Sequence, residues 1–571
     1  MDLKSELQKI FKGEIENNDE VLSKYSHDAS IFTVRPQVVC FPKDSEDVQN
    51  LVKWVSENKE KYPDLSITPR CAGTDMSGGA IGESIILDFT KYMNKLINFS
   101  ASPSTFTQVL GSPSSQPDHS QKHIGEALIT VQPGMFYRDF EKITLEKGFI
   151  LPCYTASKSL NAMGGMYGNN SAGERTLQYG KTEDYVIEAK IVFADGVERI
   201  IKSVPISEIS TQDEYSKKVY EILKNNEEEI KKAKPNVHKN SAGYYLWNLV
   251  KENNFDLNKL LVGSQGTLGI VTEITFRLVK PKPYTNLVVI FLRDISILPD
   301  LVNKILKYDP QTIETYDDKT FLLVLKYIYS FIKLLGFKNF FKLVLSFGPE
   351  TKMTLRHGFP RLIMLVEFTG DTIEETNKNT NNILTELKNI KKIGVHLAKN
   401  EFEAKKYWTI RHEAFNLIRY HLKKQKSEAF IDDVIVRPEY LPEFLPSLYK
   451  ILGEYKNKMT FAVGGHAGDG NMHIYTLLDT KDSMTKSIVM DVSEKVYDLV
   501  SSLGGSITAE HNDGIIRTPF LNKMYNSKIL ELFKQTKEIF DPKYIFNPGK
   551  KVPLLKGQIG TKEYVEKHIT Q

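Results

Sequence analysis

Three clusters of closely spaced glycines in the first half of the chain constrain its fold more than any other feature. The first, Pro69-Arg70-Cys71-Ala72-Gly73-Thr74-Asp75-Met76-Ser77-Gly78-Gly79, follows a short apolar run, Leu65 to Thr68, that reads as a strand. Glycine reaches positive φ and carries no Cβ, so backbone N–H groups in such a loop can converge on an anion such as a diphosphate. A plain tight turn would use the same residues. The second cluster, Gly164-Gly165-Met166-Tyr167-Gly168-Asn169-Asn170-Ser171-Ala172-Gly173, and the third, Gly263-Ser264-Gln265-Gly266-Thr267-Leu268-Gly269-Ile270, shift the balance toward nucleotide binding. None has the strand–GxGxxG–helix context of a Rossmann site.

A chain of 571 residues exceeds one core, so two or three domains are expected. The patterns alternate. A helix is expected over Ser45–Asn58 with Ser45 as its cap, and others over 372–388 and 401–424. Strands are expected at Ile85–Phe89, Ala127–Val131, Ile187–Ala194, Gly269–Leu278, Leu287–Phe291 and Leu362–Phe368. Residues 100–121, rich in Ser, Pro, Gln and Thr, read as an exposed loop, and Lys280-Pro281-Lys282-Pro283 marks a domain boundary. No internal repeat is evident. The net charge of +4, from 75 basic and 71 acidic residues without a compact basic block, argues against nucleic acid as a partner. The three cysteines have no CxxC spacing, which disfavours a disulfide framework or an iron–sulfur cluster and fits a reducing compartment. The first residues lack the apolar stretch of a signal peptide, and a cytoplasmic location is expected.

The second half carries a different chemistry. Gly465-His466-Ala467-Gly468-Asp469-Gly470-Asn471-Met472-His473 places two histidines seven residues apart. On a straight strand they would face opposite ways, but Gly-Asp-Gly can turn and bring both imidazoles together. Gly504-Gly505-Ser506-Ile507-Thr508-Ala509-Glu510-His511 reads as the end of a strand with a carboxylate beside another histidine. Two histidines and a carboxylate suit a divalent transition metal with open positions. Turn histidines bonded to backbone would read the same way.

The glycine clusters, with Tyr179-Gly180 and Asp195-Gly196 between them, resemble the PCMH-type FAD-binding domain of the vanillyl-alcohol-oxidase superfamily. The likeness runs from about Tyr25 to about Lys550. Within that superfamily the chain is most similar to the FAD-linked D-lactate, glycolate and D-2-hydroxyglutarate dehydrogenases. The resemblance implies an α+β fold. A two-lobed PCMH-type FAD-binding domain would span 1–282, with a loop insertion near 100–121. A ferredoxin-like antiparallel-sheet cap domain would span 283–500, with an apolar basic insertion at 321–347. Residues 501–571, with C-terminal helices, would complete the active site and the flavin contacts.

The resemblance also implies site residues. FAD would be held by Pro69, Arg70, Cys71, Ala72, Gly73, Thr74, Asp75, Ser77, Gly78 and Gly79 around the pyrophosphate. Gly164, Gly165, Gly168, Asn169, Asn170, Ser171, Gly173, Tyr179, Gly180, Gly263, Gly266, Thr267, Gly269, Ile270 and Asn547 would contact the rest. Gln265 stands where many relatives carry Glu. The first loop has no His, and Cys153 lies eleven residues before Gly164, so the FAD is expected to be non-covalent. His466, His473 and Glu510 map onto metal ligands, for zinc or manganese, and His511 onto the catalytic base. Arg411, in Trp408-Thr409-Ile410-Arg411, maps onto the residue that grips the substrate carboxylate, with a surface ion pair as the alternative. Relatives continue Glu-His-Gly-x-Gly, whereas this chain reads Glu510-His511-Asn512-Asp513-Gly514, which would add polar bulk near the flavin. Asp433 sits in a segment that resembles another part of the family site, without an assigned role.

The activity implied is oxidation of a small 2-hydroxy acid to the 2-oxo acid, with a cation acidifying the hydroxyl, keeping His511 neutral, and a hydride passing to flavin N5. The acceptor would be a quinone or an electron-transfer protein, and a homodimer is compatible. Two other readings are a flavin-binding subunit of a larger electron-transfer complex and an ether-lipid alkyl transferase. The second is disfavoured because its histidine-triplet element is missing. Finally, 321–347 combines Leu, Phe, Tyr and Ile with four lysines and no acidic residue, which suits a helix lying on the inner face of an anionic membrane. A helix pair in the cap domain or a dimer interface would show the same pattern.

Overall fold

The structure, a computed structural model, describes residues 2–101, 127–320, 322, 348–421, 426–427, 430–554 and 559–570. The expected loop at 100–121 lies almost wholly outside these residues, and the apolar basic stretch 321–347 does so apart from 322. No helix among the described residues is long and apolar enough to cross a membrane.

The α+β character follows from three main sheets. The first is four-stranded, in the order Glu14–Glu16, Val38–Phe41, Ile85–Asp88, Ile67–Arg70. Helix Ser45–Asn58 buries Val48, Leu51, Val52 and Val55 within the core that this sheet helps to form. Its cap is Asp44 rather than Ser45: the Asp44 carboxylate accepts the Asp47 amide at 3.1 Å, and Ser45 is already helical. The second sheet is antiparallel, in the order Leu96–Ser100, Ala127–Val131, Ile270–Leu278, Val186–Val192, Glu198–Lys202. Its central strand begins one residue after Gly269, so the third glycine cluster is tied to the sheet directly.

The large third sheet explains the second half of the chain. Strand Tyr284–Leu292, helix Leu298–Leu306, strands Thr312–Asp317 and Leu362–Gly370, helix Ile373–Leu387 and strand Ile393–Leu397 follow one another along the chain. Their strands lie fourth-first-third-second across the sheet, which is the ferredoxin-like arrangement. The topology then recurs. Strand Val434–Ile435, helix Leu441–Gly453, the hairpin Met459–His466 and Asn471–Leu478, and helix Thr485–Ser502 lead to Ser506, which bridges back to Ile435. The two units join edge to edge through their second strands, with Glu314 opposite His466. This duplication is invisible as a sequence repeat because only the order of elements recurs.

Beyond Ser506 the chain turns back to the first lobe. Phe546 bridges Ile67, and the Asn547 side-chain amide donates to the carbonyls of Gly79 and Gln265, both at 2.8 Å. Residues 504–511 form no strand beyond that single bridge, contrary to the expectation for this stretch; side-chain bonds hold it instead.

Candidate active site

A cleft, open at its mouth, runs among the glycine clusters. Pro69, Arg70, Cys71, Ala72, Gly73, Thr74, Asp75 and Gly79 line it from the first cluster. Gly164, Gly165, Gly168, Asn169 and Ser171 line it from the second, Gly266 and Gly269 from the third, and His511 closes one side. The first part of the second cluster lies in a helix, Met163–Asn169, rather than a loop. A Cβ on Gly165 would meet no protein atom within 4 Å and one on Gly168 only Gln265 Cα at 4.0 Å, so their bare faces are room in the cleft. The Asn161 and Asn169 side-chain oxygens are buried without a partner and belong to residues lining the same space, where a ligand's N–H groups would satisfy them. These residues fit a flavin dinucleotide.

Several expected contacts stand behind the wall. Ser77 is spent on Asp75, Gly78 packs on Phe32 and Ile515, and Gly173 lies against the Tyr154 carbonyl. Tyr179 and Gly180 close a turn in which the Tyr179 carbonyl accepts the Tyr185 hydroxyl. Asn170 and Gly263 border a much smaller neighbouring space, Thr267 bonds to Tyr244, Ile270 is core, and Asn547 braces two loops. Asn512 and Asp513 do not crowd the cleft either. Asn512 takes φ +69° and donates to the Gly263 carbonyl at 2.8 Å. Asp513 is buried against the Gly243 amide and Lys551. Cys153 is buried away from the cleft, whereas Cys71 lines it with its thiol on the Pro133 carbonyl at 3.3 Å. Thr155, Ser157 and Asn161 also line the cleft, and no motif in the sequence marks them.

The histidine cluster forms as the turn allows. Residues 467–470 reverse the chain between the strands, with the Asp469 amide on the His466 carbonyl at 3.0 Å, and the two imidazole centroids come within 5.0 Å. His466 Nε2, His473 Nε2 and Glu510 Oε1 form a triangle with sides of 3.2, 3.3 and 3.3 Å. Ligands about 2.0–2.1 Å from a tetrahedral ion would lie about 3.3 Å apart. The other ring nitrogens are committed: His466 Nδ1 bonds Glu314, and His473 Nδ1 donates to the Asp432 carbonyl at 3.0 Å. Both Nε2 lone pairs therefore face one point, which is unfavourable unless a cation or proton sits there. The charges agree. Among the described residues, buried Glu314, Asp432, Asp433, Asp469 and Glu510 face buried Lys239, Arg411 and Arg517, a net of −2 with neutral imidazoles, while adjoining Asp513 is matched by Lys551. One divalent cation, or protons on His466 and His511, neutralises the cluster.

His511 joins the cluster to the cleft. Its ring stacks on that of His473 at 5.3 Å, and its Nδ1 bonds Asp432 Oδ2 at 2.8 Å. Arg517, wholly buried, holds the other Asp432 oxygen at 2.8 Å. Burial disfavours the charged imidazole, but Asp432 and Asp433 outweigh it and push the His511 pKa up to about 10. Protein groups alone thus favour imidazolium, and only an added cation works in the direction expected from the sequence. Asp433 has a clear role: its Oδ2 accepts the Thr508 hydroxyl and the amides of Ala509, Glu510 and His511 at 2.7–2.9 Å. Arg411 is no surface residue. It is buried, with Nε on Glu314 at 3.1 Å and Nη1 on the Tyr475 hydroxyl at 3.2 Å. Glu314, Lys239, Asp432 and Arg517 went unseen in the sequence, because isolated charged residues there carry no spacing signal.

This fold and this pair of sites define a flavoprotein of the PCMH type. Residues 36–201 match the family described as FAD binding domain, and residues 282–551 that described as FAD linked oxidases, C-terminal domain. The chain belongs to the FAD-linked oxidases. It is 25% identical over 554 residues to D-2-hydroxyglutarate dehydrogenase of Pseudomonas putida, covering 95% of this chain and 50% of that protein. It is 26% identical to glycolate oxidase subunit GlcD of Bacillus subtilis, covering 92% and 91%, and 26% identical to D-lactate dehydrogenase of Anaerostipes hadrus, covering 93% of each. The chain thus spans about half the length of the first of these relatives. The fold is shared with 4-ethylphenol oxidase from Gulosibacter chungangensis (TM-score 0.66, 12% identity, 97% of both chains covered). It is also shared with an alkyldihydroxyacetonephosphate synthase (TM-score 0.60, 13% identity, 95% and 85% covered).

Proposed function

We propose that the protein is an FAD-dependent dehydrogenase that oxidises a small 2-hydroxy acid to the 2-oxo acid, with a divalent cation, zinc or manganese, at His466, His473 and Glu510. The observation that carries this reading is the junction at His511, which both lines the dinucleotide cleft and stacks on a metal-ligand histidine. The names of the relatives support the substrate class. In this reading residues 1–282 hold a non-covalent flavin, 283–500 the substrate, and 501–571 close the site. Bound FAD supplies a two-electron acceptor for the Cα hydride, and the cation supplies Lewis acidity. His511 takes the hydroxyl proton at Nε2, because Nδ1 is committed to Asp432. Arg411 orients the substrate carboxylate with the N–H groups not spent on Glu314 and Tyr475.

Anaerobic mixing with a panel of D- and L-2-hydroxy acids should bleach the flavin with at least one of them. His511→Ala should keep its FAD and slow bleaching about 10²–10⁴-fold, and His473→Ala should lose metal in elemental analysis. A protein that no 2-hydroxy acid bleaches is a flavin-binding subunit instead. We also propose that the acceptor is a lipid-soluble quinone reached at a membrane surface. Exposed Leu355 (82%) and Phe359 (39%) lie near the apolar basic stretch 321–347 in sequence. Co-sedimentation with anionic vesicles that weakens in high salt is expected. Protein that stays in the supernatant at low salt refutes the membrane contact.

A further inference from the structure

Lys239 reaches the histidine cluster from the part of the chain that precedes the ferredoxin-like units. It is completely buried, and its segment is pinned to the turn that carries Glu510. The Ser241 amide donates to the Thr508 carbonyl at 3.0 Å, and the Ser241 hydroxyl to the Ala509 carbonyl at 2.8 Å. Lys239 Nζ lies 3.2 Å from Glu510 Oε2 and 3.1 Å from Asp469 Oδ2. Asp469 is itself held by His238 through its other oxygen. The buried ammonium is therefore fixed from both sides.

The consequence is a divided carboxylate. Glu510 Oε2 faces Lys239, while Oε1 faces both imidazole Nε2 atoms at 3.3 Å. A glutamate with both oxygens free can bind a divalent ion through the pair. A 2-hydroxy acid that chelates the ion with its hydroxyl and carboxylate needs two adjacent positions. A second glutamate oxygen would compete for one of them. We propose that Lys239 is a positioning residue that confines Glu510 to one coordinating oxygen, and so keeps positions on the ion open for a chelating substrate. This rests on the metal reading above.

The direction of the effect separates this role from a structural ion pair. Removing an ordinary supporting partner of a metal site lowers metal affinity about 10–100-fold. Removing Lys239 instead makes the cluster more negative and frees a second donor. The ion should be held at least as tightly, and the chelating ligand should be lost. The test uses the full chain with bound FAD, stripped of metal and titrated with cobalt(II). Oxalate then serves as a two-oxygen chelator that cannot be dehydrogenated, read by the cobalt visible spectrum. Wild type should bind cobalt and respond to oxalate; if it binds no cobalt, the metal reading itself fails. Lys239→Met should bind cobalt no more weakly than wild type while its oxalate affinity drops about 10–100-fold. Lys239→Arg, which keeps a cation on Glu510, should restore oxalate binding. If Lys239→Met does not retain FAD, Lys239→Gln decides, because its polar head ends one bond short of Glu510 and should show the same loss. Unchanged oxalate affinity, or loss of cobalt from a variant that keeps its FAD, overturns the proposal.

Discussion

Asp432 and Asp433 are neighbours with different tasks, and the difference is testable residue by residue. The Asp433 carboxylate accepts three consecutive amides and a hydroxyl from 508–511, and its other oxygen accepts the Asn471 amide at 2.9 Å. It ties the histidine hairpin to the turn that carries Glu510 and His511. Asp433→Asn puts an amide where acceptors are required. Hydrogen bonds to a charged group are worth about 1.5–3 kcal/mol each, so a loss of about 2 kcal/mol or more in denaturant titration is expected, with loss of bound metal. Asp432 serves His473 through its backbone carbonyl, which substitution leaves in place, and His511 through its carboxylate. Asp432→Asn should therefore keep the metal and the FAD but slow flavin reduction about 10²-fold or more. Equal metal loss in both variants would erase the distinction.

At the scale of elements, the helix Met163–Asn169 divides its glycines by function. A Cβ on Gly164 would strike Pro133 Cβ at 2.5 Å and Cys71 Sγ at 2.9 Å, so that position is set by packing. Gly165 faces open cleft. Gly165→Val should leave the melting temperature of flavin-free protein nearly unchanged and weaken FAD binding about tenfold or more, a change of about 1.4 kcal/mol. Gly164→Val should lower that melting temperature even without flavin. Measuring both in apo and FAD-loaded protein checks the division. The elements also show what the sequence made legible. The three inner strands of the second sheet and the histidine hairpin were readable because β-branched runs and Gly-Asp-Gly turns act locally, whereas the edge strands Leu96–Ser100 and Glu198–Lys202 were not. The helical nature of Met163–Asn169 was not, since three glycines in seven residues contradict helix propensity and only tertiary packing overrides it. The ordering of 504–511 was hidden for a related reason: it depends on Asp433, more than seventy residues away, and no local pattern records such a bond. The proposed metal ligands and base were reachable through family resemblance, but Glu314 and Lys239 became visible only when the units were assembled.

For the whole molecule, the charged cluster links assembly to pH. Burial would raise the Glu314 pKa, yet His466 and Arg411 hold it down at about 2. Asp432, Asp469 and Glu510 are also held below the usual carboxylate range by their cationic neighbours, against burial. Such groups bind fewer protons folded than unfolded, so their contribution is present above the ordinary carboxylate pKa and is lost as pH falls toward the folded one. For Glu314 alone this amounts to about 3 kcal/mol between pH 4.5 and 2. Chelator-treated protein should lose stability steeply over that window in denaturant titrations. Glu314→Gln should be less stable at pH 7 and show a shallower acid slope. An unchanged slope would mean that the cluster does not contribute as a unit.

Asn547 is one residue, yet it bonds Gly79 and Gln265, which lie 468 and 282 positions earlier. Chains leave the ribosome N-terminus first. The loops that cradle a dinucleotide are thus made long before the brace that fixes them together. A nascent chain halted ahead of residue 547 would own every cleft-lining residue and still lack the clasp, so cofactor capture belongs to the end of synthesis.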